Sequence, residues 1–298
     1  MAVNTKAIKH RLKSVGSTKK ITKAMELIAA AKMRKAVNAA LDTRAYATLA
    51  WDLLVKLSKT EKTQIPLLAV RLVQKVLMII ITSNRGLCGS FNSNIIKKTA
   101  AQLKNGVATD VIGIGKKGAD FAKKMGYNLV AAFTNMTDTP SLDDALPIAK
   151  MIIDAYANKS YDKVLVAYTD FKSALLQVAN LRQVLPISET DLAKMVEGKA
   201  PRKATANAGQ ADRNEYLFEP NKLDVLQIIL PRLVETQIYQ SMLESAASEH
   251  SARMFAMRNA SDAAEDMIDE LNLTFNKARQ AGITQEIAEI AGGAAALE

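Results

Sequence analysis

Residues 232–281 read RLVETQIYQS MLESAASEHS ARMFAMRNAS DAAEDMIDEL NLTFNKARQA, and neither glycine nor proline interrupts them. The stretch is dense in Ala, Glu, Met, Leu and Arg, which lose little freedom in a helix, so it predicts one continuous helix. Met257, Ala260, Ala264, Ile268, Leu271, Phe275 and Ala278 recur at steps of three or four residues and form a single apolar stripe. At 1.5 Å per residue such a helix runs on the order of 75 Å, beyond the diameter of a small domain. It is therefore expected to protrude, and its stripe requires a partner of similar length.

The other end of the chain supplies one. From Ser17 to Ile65 there is again no Gly or Pro, and Ile21, Met25 and Ile28, then Met33, Val37 and Leu41, then Leu49, Leu53 and Leu57 keep helical spacing. Gly16, Ser17 and Thr18 predict a break near the start, with a short leading helix from Asn4 to Ser14, because Ser and Thr favour caps and Gly weakens helix interiors. Two terminal helices pair only if the intervening chain returns to its starting point, so the pairing is expected to be antiparallel. Alanines on both sides (Ala24, Ala29, Ala30, Ala31, Ala36, Ala39 and Ala40; Ala246, Ala247, Ala252 and Ala256) suit a close approach. The apolar register drifts, which predicts a loosely wound coil.

The middle alternates between strands and helices. Lys75–Thr82, Thr109–Gly115, Asn128–Phe133 and Lys163–Thr169 read as strands, with Leu175–Ile187 as an extended partner. Helices are expected over Ser93–Lys104, Lys116–Met125 and from a capping box at Ser141 and Asp144 toward Asn158. Gly198–Asn214 reads as a loop, Tyr216–Glu219 as a short strand, and Leu223–Leu230 as the start of the return helix, with a kink or restart at Pro231. The fold class is α/β: a long antiparallel coiled coil of N- and C-terminal helices plus a central, Rossmann-like domain with a mainly parallel sheet. The expected divisions are 1–66 for the N-terminal helix, 67–211 for the α/β domain, and 212–298 for a foot segment and the C-terminal helix.

The chain has 298 residues, 49% of them apolar and only 5% aromatic, which fits long Ala-rich helix contacts. The longest apolar run, Val76 to Ile81, is strand-sized, and the basic N-terminus lacks the apolar core of a secretory signal; a soluble, cytosolic protein is expected. A lone Cys88 excludes an intramolecular disulfide and a Cys-x-x-Cys pair. Net charge is +10, and between Lys6 and Lys35 ten Lys and Arg stand against the single acid Glu26. That asymmetry calls for an acidic partner, and nucleic acid, an anionic membrane or an acidic protein surface would each serve.

Gly113, Gly115 and Gly118 spell G-x-G-x-x-G between a strand and a helix, the setting of a dinucleotide fingerprint. The ribose-binding acid expected after the next strand is missing, since Thr134 and Asn135 follow it. His10 and His250 are expected on helix surfaces and are too few for a metal site. No nucleophile elbow or Walker sequence is present. The basic helix near Lys19, Lys20 and Lys23 suits phosphate, but no aromatic precedes Tyr46 for base stacking. Met25, Leu27, Ile28 and Met33 among those cations make more than one side of the helix apolar, and residues 283–294 are mildly apolar at the expected far tip.

Four blocks carry a resemblance. Residues 17–34 (STKKITKAMELIAAAKMR), 83–92 (SNRGLCGSFN), 247–257 (ASEHSARMFAM) and 283–287 (ITQEI) resemble, in this order, blocks of the gamma subunits of F-type rotary ATP synthases. The resemblance implies a central rotor shaft inside a ring of three alpha and three beta subunits, coupling ion-driven rotation to their catalytic cycle. It implies alpha and beta contacts at Lys23, Met25, Arg34, Arg253, Arg279, Gln280, Thr284, Gln285 and Glu286. It places Ile287, Ile290 and Ala294 in an apolar bearing at the tip, and Tyr216 and Glu219 in a foot facing the epsilon subunit and the membrane c-ring. It further implies one copy per complex, no catalytic, metal or nucleotide site of its own, Mg-ATP and ADP held only by partners, and no nucleic acid. The expected location is the cytoplasmic face of a bacterial plasma membrane. A basic coiled-coil nucleic-acid binder and a dinucleotide enzyme are the competing classes.

Overall fold

A computed structural model describes residues 5–58, 66–103, 106–135, 137–187, 219 and 222–295. The loop expected over Gly198–Asn214 and most of the strand expected over Tyr216–Glu219 lie outside these residues. The chain divides into two compact units, one of residues 31–252 and one of residues 1–30 with 253–298.

The first unit is built on a five-stranded sheet of β1 (Lys75–Ile81), β2 (Ala108–Ile114), β3 (Asn128–Phe133), β4 (Lys163–Phe171) and β5 (Gln177–Leu185), in the order β3-β2-β1-β4-β5. All pairs are parallel except β4 with β5. Leu77, Ile79 and Ile81 of β1 join one core, and Val76, Met78 and Ile80 join another, as the period of two requires. The second face is covered by α2 (Phe91–Leu103) and α3 (Lys116–Lys124) through Ile95 and Ala122. The first is covered by α4 (Leu142–Ala157) through Ile148 and Ile152, and by Leu230, Leu233, Val234 and Ile238 of the last helix, α5 (Lys222–Ala295). Burial on both faces is why β1 reads as an unbroken apolar run. The capping box forms as expected: Asp144 N donates to Ser141 Oγ, and Ser141 N donates to Asp144 Oδ2 at 2.8 Å. At the sheet's opposite end Asp110 takes hydrogen bonds from Tyr161 Oη and Lys75 Nζ, each at 2.8 Å.

In this unit α5 is stitched to the β4–β5 hairpin by a row of serines. Thr169 N donates to Ser245 Oγ at 3.1 Å, Ser248 Oγ donates to the Thr169 carbonyl at 3.2 Å, and Ser251 Oγ donates to the Ala174 carbonyl at 2.6 Å. His250, expected on the surface, is 2% exposed, with Nε2 at 2.8 Å from the Asp138 carbonyl. A histidine on a helix facing a loop finds the acceptor that burial demands.

The second unit pairs the first part of α1 (Thr5–Ser58) with residues 253–295 of α5. Thr22 Oγ1 and Ser261 Oγ lie 2.7 Å apart, and Lys19 Nζ reaches Glu265 Oε1 at 2.9 Å. The lower number on α1 meets the higher on α5, so the pair is antiparallel. Buried or half-buried positions on α1 include Ile8, Leu12, Val15, Lys19, Thr22, Glu26 and Ala29, and on α5 Met257, Ser261, Ala264, Ile268, Leu271, Phe275 and Ala278. These steps alternate strictly between three and four, the heptad pattern of a coiled coil, where the apolar residues alone suggested drift. The α5 stripe is thus nearly the expected one; the α1 stripe is not. Ile21 and Ile28 are 60% and 54% exposed, and the seam beside them is made by Thr22, Glu26 and Ala29.

Two expected breaks are absent from the described helices. α1 runs through Gly16, because Ser17 Oγ and Thr18 Oγ1 donate back to the carbonyls of Lys13 and Ser14 instead of capping a new start. α5 continues through Pro231, where Leu230, Leu233 and Val234 are buried against the sheet and packing outweighs one missing N–H. It also continues through Gly282, whose cost of about 1 kcal/mol weakens a helix without ending it.

Candidate functional site

The surface with most to offer a partner is the outside of the helix pair. Around Thr22 the seam is made of small and polar residues, Thr22, Ala29, Ser261 and Ala264, which let the two helices approach closely, and it leaves the large aliphatic side chains of this part of α1 unused. Ile21, Leu27 and Ile28 consequently stand in solvent among Lys19, Lys20 and Lys23. Some of the cations are engaged within the chain: Lys19 with Glu265, Lys23 with Glu26 at 2.9 Å, and Lys32 with Asp138.

The C-terminal end of α5 presents a second apolar surface. With Thr22 beside Ser261, the first described residue of α1, Thr5, comes level with about Ala278. Beyond that level, from Ile283 to Gly293, every side chain is exposed, with Ile287 at 62% and Ile290 at 73%. Exposed aliphatics at i, i+4 and i+7 (Ile283, Ile287, Ile290) line one side of the helix, a pattern that marks a contact surface.

The glycine motif has a structural use. Gly115 has φ +88°, and a Cβ there would lie 2.1 Å from the Thr82 carbonyl oxygen, while one on Gly113 would meet Ala119 at 3.0 Å. The first amides of α3 are already bonded: Lys116 N to Asn84 Oδ1 at 3.0 Å, Lys117 N to the Ser83 carbonyl at 3.2 Å, and Gly118 N to Thr82 Oγ1 at 2.7 Å. A pyrophosphate would need those donors. Across the crevice between β1 and β4, where open α/β sheets take their ligands, Thr169 is bonded on both backbone groups by Ser245 and Ser248. Among the described residues, no group of His, Cys, Asp and Glu is arranged to hold a metal, and no helix is long and apolar enough to cross a membrane.

A family model described as ATP synthase matches residues 4–297. The ATP synthase gamma chain of Herpetosiphon aurantiacus is 43% identical over 307 residues, covering 99% of both chains. The chain belongs to the ATP synthase gamma chain family. The gamma chain of Pelotomaculum thermopropionicum is 41% identical and covers 98% of both chains. Among solved structures, the central stalk and c-ring of the Tetrahymena thermophila mitochondrial ATP synthase contains a chain with a TM-score of 0.59 and 26% identity, covering 81% of this chain and 99% of that one. A chain of the rotor of the Euglena gracilis mitochondrial enzyme, at 21% identity, has a TM-score of 0.63 and covers 94% of this chain and 98% of that one, a likeness of fold.

Within this family fold the residues singled out from sequence fall into groups. Lys23 and Met25 lie on α1 and Arg253 on α5 where the helices pair, Lys23 being exposed and the other two half-buried. Arg279, Gln280, Thr284, Gln285, Glu286, Ile287 and Ile290 are all exposed along the end of α5 beyond the described part of α1, with Gln285 Nε2 donating to Glu289 Oε1 at 2.9 Å. Arg34 is exposed on α1 within the sheet-containing unit, and Glu219 is exposed at a bend. Ala294 lies in the last turn of α5, and Tyr216 falls outside the described residues. Sequence reasoning missed the serine row at 245, 248 and 251, whose three-residue spacing was its available signal, and the role of Asp138.

Proposed function

We propose that this chain is the central rotor shaft of a rotary ATP synthase and that its own chemistry is mechanical. The observation that carries the reading is the division of labour on the helix pair around Thr22: Thr22, Ala29, Ser261 and Ala264 inside, the large aliphatics Ile21, Leu27 and Ile28 and cations outside, together with an exposed apolar end on α5 beyond the described part of α1. In this reading three alpha and three beta subunits surround the pair and hold Mg-ATP and ADP, while this chain binds no nucleotide, metal or cofactor. Lys23, Met25, Arg34, Arg253, Arg279, Gln280, Thr284, Gln285 and Glu286 meet acidic and polar partner segments. Ile287, Ile290 and Ala294 turn in an apolar bearing. Tyr216 and Glu219 belong to a foot that meets the epsilon subunit and the membrane c-ring on the cytoplasmic face of a bacterial plasma membrane. Because the faces of the pair differ, each catalytic subunit meets a different surface, and rotation shifts its conformational equilibrium through differential contacts. The dinucleotide reading is disfavoured by the bonded amides of α3, and the nucleic-acid reading by the engagement of Lys19, Lys23 and Lys32 within the chain.

The test mixes the purified chain with alpha and beta subunits, isolates the complex and assays Mg-ATP hydrolysis. A defined complex with one copy of the chain, more active than the same subunits without it, is expected. The variants K23E and R279E should impair assembly or coupling and leave the isolated fold intact. Failure to associate, with salt-sensitive DNA binding by the chain alone, sinks the rotor reading.

A further inference from the structure

Asp138 stands in the loop between β3 and α4, and elements distant in sequence converge on it. Its Oδ2 accepts from Lys32 Nζ on α1 at 2.5 Å. Its backbone carbonyl lies 2.8 Å from Nε2 of the buried His250 on α5, a contact made by the tautomer carrying its proton on Nε2. The hydrogen bond from Lys32, outweighing burial and joined by the charges of Lys32, His250 and Arg85, holds the Asp138 carboxyl below its ordinary value. Arg85 belongs to the loop after β1, so the same residue feels both long helices and the loop that follows the central strand.

The apolar contacts of α1 at this level centre on alanines: Ala36 packs with Ala246 and Ala247, and Val37 and Phe171 lie partly buried alongside. Alanine surfaces resist separation through close contact, but they are shallow and give little resistance to sliding or twisting. A hydrogen bond does, because its strength falls steeply with angle and distance. We propose that Asp138 is a clamp through which the α/β domain grips both long helices, making it a positioning residue for torque transfer; this rests on the rotor reading above. Lys32 is then a holding residue within the chain and not part of its cationic outer face. Torque applied to the α/β domain reaches α5 through its packing on the sheet, the serine row and His250, and reaches α1 through Lys32, so loosening the loop lets α1 yield before the catalytic subunits respond.

Two measurements test the clamp. In the isolated full chain, K32A and D138A should speed amide hydrogen exchange at residues 31–43 of α1 by about two- to fivefold, the range one partly exposed charged contact supports, while K32R retains slow exchange. In the complete complex in vesicles, K32A and D138A should lower the ratio of ATP synthesis to ATP hydrolysis by a similar factor of about two to five, K32R should keep it, and the double variant should be no worse than either single one. Unchanged exchange, unchanged ratio, or additive losses in the double variant overturn the clamp. A wild-type chain that assembles into no synthesising complex overturns the rotor reading itself and the clamp's role with it, whereas a working wild type beside unaffected variants overturns the clamp alone.

Discussion

Ile79 in the sheet and Ala29 on the seam face of α1 are equally hidden from water, yet they represent two ways of building an interior. Around Ile79 the sheet stacks Ile112 and Val166 as strand neighbours and closes with large aliphatics from α4 and α5. Around Ala29 the inside of the helix pair is Thr22 with Ser261, Ala29 and Ala264, and the large aliphatics Ile21, Leu27 and Ile28 are outside, the larger seam residues Ile268, Leu271 and Phe275 lying further along α5. The first arrangement draws its stability from within. The second, at this level of the pair, leaves its largest aliphatic side chains outside. A structure that must hold its own fold and also turn against partners needs both.

The sheet side of the comparison breaks most sharply at its centre. Ile79→Ala leaves a cavity between close-packed strands and helices, and the expected loss is about 2–5 kcal/mol of unfolding free energy, read by denaturant titration of the isolated chain. A loss below about 1 kcal/mol would mean that this core is loosely packed. Gly115→Ala should cost somewhat less, about 1–3 kcal/mol from its positive φ, with the contact to the Thr82 carbonyl adding to it. Tolerance of that change by the isolated chain would mean that the close approach of Gly115 to the Thr82 carbonyl does not matter to the fold.

How far the sequence discloses each region follows from the same contrast. β1 and α4 were readable almost to the residue, because an unbroken apolar run and a capping box are local signals with one physical meaning. The α5 stripe was readable because its seam residues, Met257, Ile268, Leu271 and Phe275, are large. The α1 stripe misled because the largest apolar residues, Ile21 and Ile28, mark the outer face, while the seam runs through Thr22 and Glu26. Ser17, Thr18 and Pro231 misled for a related reason: each is a break signal by propensity, and back-bonding or packing settles the matter. His250 and Asp138 were placed separately in a helix and a loop, and only the fold brings them together.

A pH titration probes the sheet end at smaller amplitude. Burial pushes the Asp110 carboxyl up, but hydrogen bonds from Lys75, Tyr161 and Asn128, with the Lys75 charge, outweigh it and hold the group below 3.8. The unfolded chain therefore binds this proton first on acidification, so the contribution is complete above the ordinary carboxylate value and falls away as pH drops through it. Tyr161, pushed up to about 12 by burial and by the Asp110 hydrogen bond and charge, acts at the other extreme: its contribution holds below 10.0 and is lost between 10.0 and about 12. Asp110→Asn should flatten the acid limb of the stability profile; an unchanged limb would remove Asp110 from the account.

The helix pair gives the smallest effect and the sharpest distinction. Ile28→Ser exchanges a side chain already more than half in water, so the isolated chain should keep its unfolding free energy within about 0.5 kcal/mol. The same residue in a partner's pocket would be worth about 1.5–3 kcal/mol, the value of burying one large aliphatic, which corresponds to a weakening of association by a factor of roughly ten to a hundred. Measuring both quantities on one variant separates an aliphatic that serves the fold from one that serves an interface. A destabilised isolated chain would place Ile28 inside the seam after all, and an unchanged chain with unchanged association would leave the outer face of α1 without a partner at this level. Stability held and association lost is the result that the exchange of small residues inside for large ones outside requires.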